Sequence, residues 1–216
     1  MICRMSTPTD LRTRKRLATR QAISNIATRL FLERGFDHVK VDEIAVAADV
    51  GRMTVFNHFP RKEDMFFDRD EEGREALRSA LRQRDPDISP IEALRLLAHG
   101  LVAEDSAYMR FSSESQGFIA TIEGSETLKA RARAIRDEIA QLLAAELAHS
   151  TGREMDDGDA QLAAGLIVAT WTVALLQAHQ TFRQSHDVKQ AQAVFLSMID
   201  KGSLGVQAAM AGTLYA

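Results

Sequence analysis

The stretch Val41 to Phe59, VDEIAVAADVGRMTVFNHF, narrows the possible folds more than any other part of this chain. Ile44, Ala45 and Ala48 lie three and four apart, so they form one apolar face on a helix. Ala45 and Ala48 are small enough to let a second helix cross close by. Asp49-Val50-Gly51 then interrupts the pattern with turn-forming residues around an apolar anchor, Val50. Beyond the turn, Val55 and Phe59 are four apart and can plug a core, which turns Arg52, Thr54, Asn57 and His58 outward. Pro60 stops the second helix. Two short helices joined by a tight turn make a helix-turn-helix, a unit that can lay its second helix in a DNA major groove.

The rest of the chain reads as further helices. Ile23, Ile26, Ala27, Leu30 and Phe31 share one helical face, and Arg34-Gly35 ends that helix with a cation in the last turn and a glycine after it. Arg61 to about Arg84 reads as one long fourth helix. Asp85-Pro86-Asp87-Ile88-Ser89-Pro90 is the best internal boundary. Ser89, Pro90 and Glu92 then start a helix as N-cap, first-position proline and capping-box acid, and that helix runs to about Ala103. Asp105 to Thr121 is a short or broken helix. Helices over Glu126 to His149, Ala160 to Gln184 and Val188 to Met210 follow. The expectation is an all-α protein of about nine helices.

Charge is uneven along the chain. Residues 1–62 hold 12 Lys+Arg against 6 Asp+Glu, and the remainder holds 15 against 24. A basic N-terminal third on an acidic body fits a chain in which only one part meets nucleic acid. The single cysteine, Cys3, allows neither a disulfide framework nor a zinc quartet, and a cytoplasmic location follows. The longest apolar stretch, Leu162 to Leu176, is shorter than the ~20 residues of a bilayer span, so no membrane is expected and the helix reads as buried on most sides.

Residues 12 to 70 resemble the N-terminal DNA-binding domain of the TetR family of bacterial transcriptional regulators. The matching features are Ala27 and Phe31, Gly35-Phe36, Ile44-Ala45, Ala48, Val50, Thr54, Phe56, His58-Phe59 and Lys62-Glu63-Asp64. Three features depart from the family. Lys40 stands where Thr or Ser usually caps the second helix, and Lys has no acceptor with which to cap. The turn reads Asp49-Val50-Gly51 in place of Gly-Val-Ser, which puts Asp at a left-handed position. Phe56 replaces a frequent Tyr and lacks its hydroxyl.

The resemblance implies a disordered tail over residues 1–11, a helix-turn-helix domain over 12–60 and a helical effector-binding and dimerisation domain over 61–216. On DNA, Arg52, Met53 and Asn57 would reach base edges, and Thr54 and His58 the phosphates. Lys40 and Lys62 would also reach phosphates, and Arg14, Lys15 and Arg16 would add salt-sensitive affinity. A reading helix of about seven residues, ~10 Å long, needs a two-fold partner to specify an operator. Leu166, Ala174, Ala178, Phe182, Phe195, Met198 and Ile199 on the last two helices are the candidate homodimer interface. Tyr108, Met109, Phe111, Phe118 and Trp171 are the candidate lining of a small-molecule pocket, with Gln116 or Thr172 as polar guides. The implied function is a repressor that binds a palindromic operator and is released by an effector. The alternative is a DNA-binding module without an effector.

Other classes find no support in the sequence. It holds no phosphate-binding glycine loop, no Gly-x-Ser-x-Gly elbow and no His-Glu-x-x-His motif, so neither an enzyme nor a cofactor is expected. His99, His149, His179 and His186 lack the companions of a metal site.

Overall fold

Helical periodicity runs from end to end of the computed structural model, which describes residues 11–216 and contains no strand among them. Of the tail expected over residues 1–11, residues 1–10, with Cys3, lie outside the described residues, and Leu11 belongs to the first helix. The helices are α1 (Leu11–Arg34), α2 (Val41–Ala47), α3 (Arg52–His58), α4 (Glu63–Phe66), α5 (Asp70–Arg82), α6 (Pro90–Ala103), α7 (Ser113–Glu123), α8 (Glu126–Ser150), α9 (Gly158–Ser185) and α10 (Val188–Ala209). Single 3-10 turns occupy Phe36–His38 and Ala107–Met109. The described residues thus form ten α-helices rather than nine, because the expected fourth helix is two. The chain leaves the helical path at Phe67 (φ −101°, ψ 37°). Met65 and Phe66 just before that point are buried, and the Ser24 hydroxyl donates to the Met65 carbonyl at 3.2 Å. Burial of two adjacent side chains and a side-chain partner for a helix-end carbonyl together favour stopping α4 there.

The chain divides into two compact units. The first runs to Asp68 and includes Thr121–Leu128. Its core takes Ile23, Ala27 and Phe31 from α1, Ile44 and Ala45 from α2, Val55 from α3, and then Phe59, Met65 and Phe66. The Phe31 ring lies 4.9 Å from Phe36 and 6.0 Å from Phe66. Ser125 is buried in the same unit. Its hydroxyl donates to Asp37 at 2.9 Å and accepts from the Leu128 amide at 3.4 Å, starting α8.

The second unit comprises Arg69–Ala120 and Lys129–Ala216. Ser89 starts α6 as expected, accepting from the Glu92 amide at 3.3 Å. One apolar cluster gathers Leu81, Ile91, Leu94, Leu143, Leu147, Ile167, Val206 and Tyr215. A second gathers Ala98, Met109, Phe111, Ala174, Ala178, Phe182, Ala191, Phe195 and Ile199, and Trp171 packs against both. Helices α9 and α10 approach so closely that a Cβ on Gly202 would fall 2.1 Å from the Thr170 methyl. Their connection turns at His186, which adopts a left-handed conformation (φ 54°) while its amide bonds the Phe182 carbonyl. At 28 residues, α9 is long and apolar enough to span a bilayer by length and composition alone, unlike the shorter stretch read from the sequence. Only a third of its apolar window is buried, so it is not covered on most sides.

Candidate functional site

The turn between α2 and α3 is built from backbone bonds. The Val50 amide donates to the Ala45 carbonyl at 3.0 Å and the Asp49 amide to Val46 at 3.2 Å. This pair of bonds is a Schellman motif, which needs a left-handed residue at its centre. Asp49 supplies it, with φ 52°. Gly51 then starts α3, its carbonyl accepting from the Thr54 amide at 2.8 Å. Lys40 precedes α2 without capping it; instead the Glu43 carboxylate reaches back to the Lys40 amide at 2.7 Å. Arg34 bonds the same carboxylate at 2.7 Å. The amide and the guanidinium hold the Glu43 carboxyl below its ordinary pKa.

With Val55 and Phe59 buried, α3 presents Arg52, Met53 and Asn57 to solvent. Met53 is 69 % exposed, a conspicuous position for an apolar side chain that no core claims. Thr54, Phe56 and His58 are half-buried beside them. Arg52 is already engaged within the protein: its Nη1 donates to both Asp42 oxygens, at 3.0 and 2.9 Å. The guanidinium carbon also lies 5.5 Å from the Phe56 ring centroid. His58 is held below its ordinary pKa by burial, then by Arg16 and Arg20, so its imidazole is neutral near pH 7. Arg14 and Arg16 stand on the exposed opening turns of α1.

Two further basic residues are engaged within the protein. On the sequence, Lys62 reads as a phosphate contact. It is half-buried, its Nζ donates to the Phe36 carbonyl at 2.5 Å, and it lies 4.1 Å above the Phe36 ring. Burial lowers its pKa, against the opposing pull of Asp37, Glu63 and Glu43. Arg20, which the sequence did not single out, stacks 4.0 Å over the Phe59 ring and donates to the His58 carbonyl. It thereby satisfies the C-terminal end of α3. Its position three turns into α1 was visible, but its partner 38 residues away was not.

The five candidate pocket residues differ in their surroundings. Met109 and Phe111 are buried in the second apolar cluster. The Trp171 indole meets the Phe195 ring edge-on at 5.9 Å, and the void it lines with Leu94 and Thr170 is about 10 Å³, room for about one water. Tyr108 is 39 % exposed, its hydroxyl donating to the Arg69 carbonyl at 2.8 Å. Phe118 is half-buried on α7. Gln116 donates to the His179 carbonyl at 3.2 Å, and Thr172 to Val168 at 2.7 Å, so both polar guides bond within the chain. A larger cleft of about 250 Å³ lies elsewhere, lined by Ala80, Arg84, Ile88, Ala93, Leu96 and Leu97.

The candidate dimer residues differ in how far the single protomer already covers them. Ala174, Ala178, Phe195 and Ile199 are fully buried within the single protomer, and Phe182 nearly so. Leu166 and Met198 are half-buried. Ala174, Ala178 and Ala191 are buried in the apolar cluster that α9 and α10 of the same chain share, and Gly202 lies against Thr170, because small residues let two backbones approach. The apolar face left open lies on another side of the helices. Leu162, Gly165, Ala169, Val173 and Leu176 form it on α9, and Ala193, Leu204 and Ala208 face solvent on α10.

Residues 23–68, from the second half of α1 through α4, match the sequence profile of the bacterial regulatory proteins of the tetR family. The chain is 36 % identical over 91 residues to the HTH-type transcriptional regulator TcmR of Streptomyces glaucescens, which covers 41 % of this chain and 40 % of that protein. Among solved structures, NalD, the secondary repressor of the MexAB-OprM multidrug efflux pump in Pseudomonas aeruginosa, superposes with a TM-score of 0.55 at 20 % identity over 87 % of this chain and 96 % of its own. A SmeT–triclosan complex superposes with a TM-score of 0.55 at 17 % identity over 89 % and 91 %. At these identities the likeness is one of fold.

Proposed function

We propose, from the premise that this chain belongs to the TetR family of bacterial transcriptional regulators, that it is a cytoplasmic repressor binding a palindromic operator as a homodimer. The observation that carries this reading is the surface of α3. Arg52, Met53 and Asn57 face solvent on a helix fixed from below by Val55 and Phe59 and at its start by the Asp49 turn. An arginine and an asparagine can make two-bond contacts to guanine and adenine edges, and the Met53 side chain can pack on a thymine methyl. Arg14 and Arg16 supply phosphate affinity.

One α3 reads too few base pairs for an operator, so a two-fold partner is part of the proposal. The open α9–α10 face around Val173, Leu176 and Leu204 is the surface that suits it. Release by a small apolar effector is the further step. NalD is named as a repressor and SmeT was solved with triclosan, and the same regulation is extended here to this chain. The tight packing of Met109 and Phe111 and the ~10 Å³ void at Trp171 favour a second reading, a regulator that uses no effector.

Selection from a random duplex library at about 150 mM salt tests the proposal. Enrichment of a palindrome, with a dimer mass in solution, is the expected result. Binding without sequence preference that vanishes as salt rises would reject it. With the selected duplex in hand, displacement by triclosan and other apolar aromatics separates the effector reading from its alternative.

A further inference from the structure

We propose that Asp42 is a positioning residue that sets part of the sequence preference of α3, by holding Arg52 so that its Nε–Nη2 edge faces a guanine. The inference rests on the DNA-reading function proposed above. Both side chains of the pair are 59 % exposed. An ion pair that open to water contributes little to stability, so its effect must be sought elsewhere. Asp42 fixes the end of a long, rotamer-rich side chain. The Phe56 ring, 5.5 Å from the guanidinium carbon, limits it further.

The geometry of the pair decides what remains available. A guanidinium carries five N–H donors in a planar fork. Asp42 engages Nη1 with both of its oxygens, at 3.0 and 2.9 Å. Among the described residues no acceptor engages Nε or Nη2 of Arg52. Those two nitrogens form the side-on fork of the arginine, and their spacing matches O6 and N7 of guanine in the major groove. The pair therefore need not break for Arg52 to read a base. Ordering a side chain before binding removes an entropy loss equivalent to about two- to tenfold in affinity. That gain falls only on sequences that accept the fork.

The test compares the full-length chain with Asp42→Ala, Asp42→Asn, Arg52→Ala and the Asp42→Ala/Arg52→Ala double variant. Binding is measured on the selected duplex and on duplexes carrying single base-pair replacements. Arg52→Ala should flatten the preference at one G·C pair in each half-site. Asp42→Ala should reduce the preference at that same pair by about two- to tenfold and leave the other positions and the thermal midpoint unchanged. The isosteric Asp42→Asn, which keeps one acceptor oxygen, should reduce it less. The double variant should lose no more preference than Arg52→Ala alone. A uniform change on every duplex would show that Asp42 acts only as a charge near the phosphates and would overturn the proposal. Unchanged preference at the Arg52 pair would overturn it too. A wild-type chain that selects no motif would remove the DNA-reading function itself, a failure visible before any variant is made.

Discussion

Two helix pairs in this protein share one kind of joint and use it differently. Helix α2 passes to α3 through Asp49 at φ 52°, and α9 passes to α10 through His186 at φ 54°. In the first pair each helix has 7 residues, too short for packed faces to fix an orientation. The turn's own backbone bonds set it, with Val55 and Phe59 as plugs, and most polar side chains stay outward. In the second pair the helices have 28 and 22 residues. There the contact faces decide, down to the space that Gly202 leaves for Thr170. Short helices are placed by their joint, whereas long ones are placed by their sides.

That contrast can be broken or sharpened by mutation. The largest effect is expected on the sides of the long pair. Phe195→Ala should destabilise the protein by about 3–5 kcal/mol in chemical denaturation, because its ring is fully buried within one protomer. Leu176→Arg, on the open face of α9, should instead leave the helical circular dichroism intact while sedimentation reports a monomer. If both variants unfold alike, the distinction between the inner and outer faces of α9 fails. Gly202→Ala should lower stability by about 1–3 kcal/mol, since the added methyl must displace Thr170.

Changes at the joints should be milder and of opposite sign. Asp49→Gly should stabilise the first unit by about 1 kcal/mol, by relieving a left-handed non-glycine residue. A loss of stability there would mean that the Asp49 side chain contributes something its backbone does not reveal. The smallest effect should come from protons. Burial holds the His179 imidazole below its ordinary pKa, and burial with Arg16 and Arg20 does the same for His58. The unfolded chain then binds protons more readily than the folded one. Stability should fall as the pH drops through and below about 6.5, and His179→Gln should flatten that slope.

The joint of the short pair was legible in the sequence for a physical reason. A left-handed position, an apolar anchor and a proline stop are local signals, as are the α1 face of Ile23, Ala27 and Phe31 and the Ser89 cap of α6. What escaped was set by distant partners. Lys62 turns inward to a carbonyl 26 residues away, and Arg20 to one 38 residues away. The break between α4 and α5 carries neither glycine nor proline and depends on the burial of Met65 and Phe66. On α9, apolar residues occur around most of the helix, so its period could not say which side meets α10. Ala174 and Ala178, read from the sequence as partner-facing, are buried within the protomer.

The inclusion of Thr121–Leu128 in the first unit bears on how freely such a domain can be transplanted. Ser125 bonds Asp37, and Leu128 is fully buried. A chimera cut after Asp68 and grafted onto another body would carry the reading helix but leave Asp37 without this partner and an apolar site without its plug. Exchange of DNA specificity between relatives therefore calls for a discontinuous graft, in which the eight residues around Ser125 travel with the N-terminal segment.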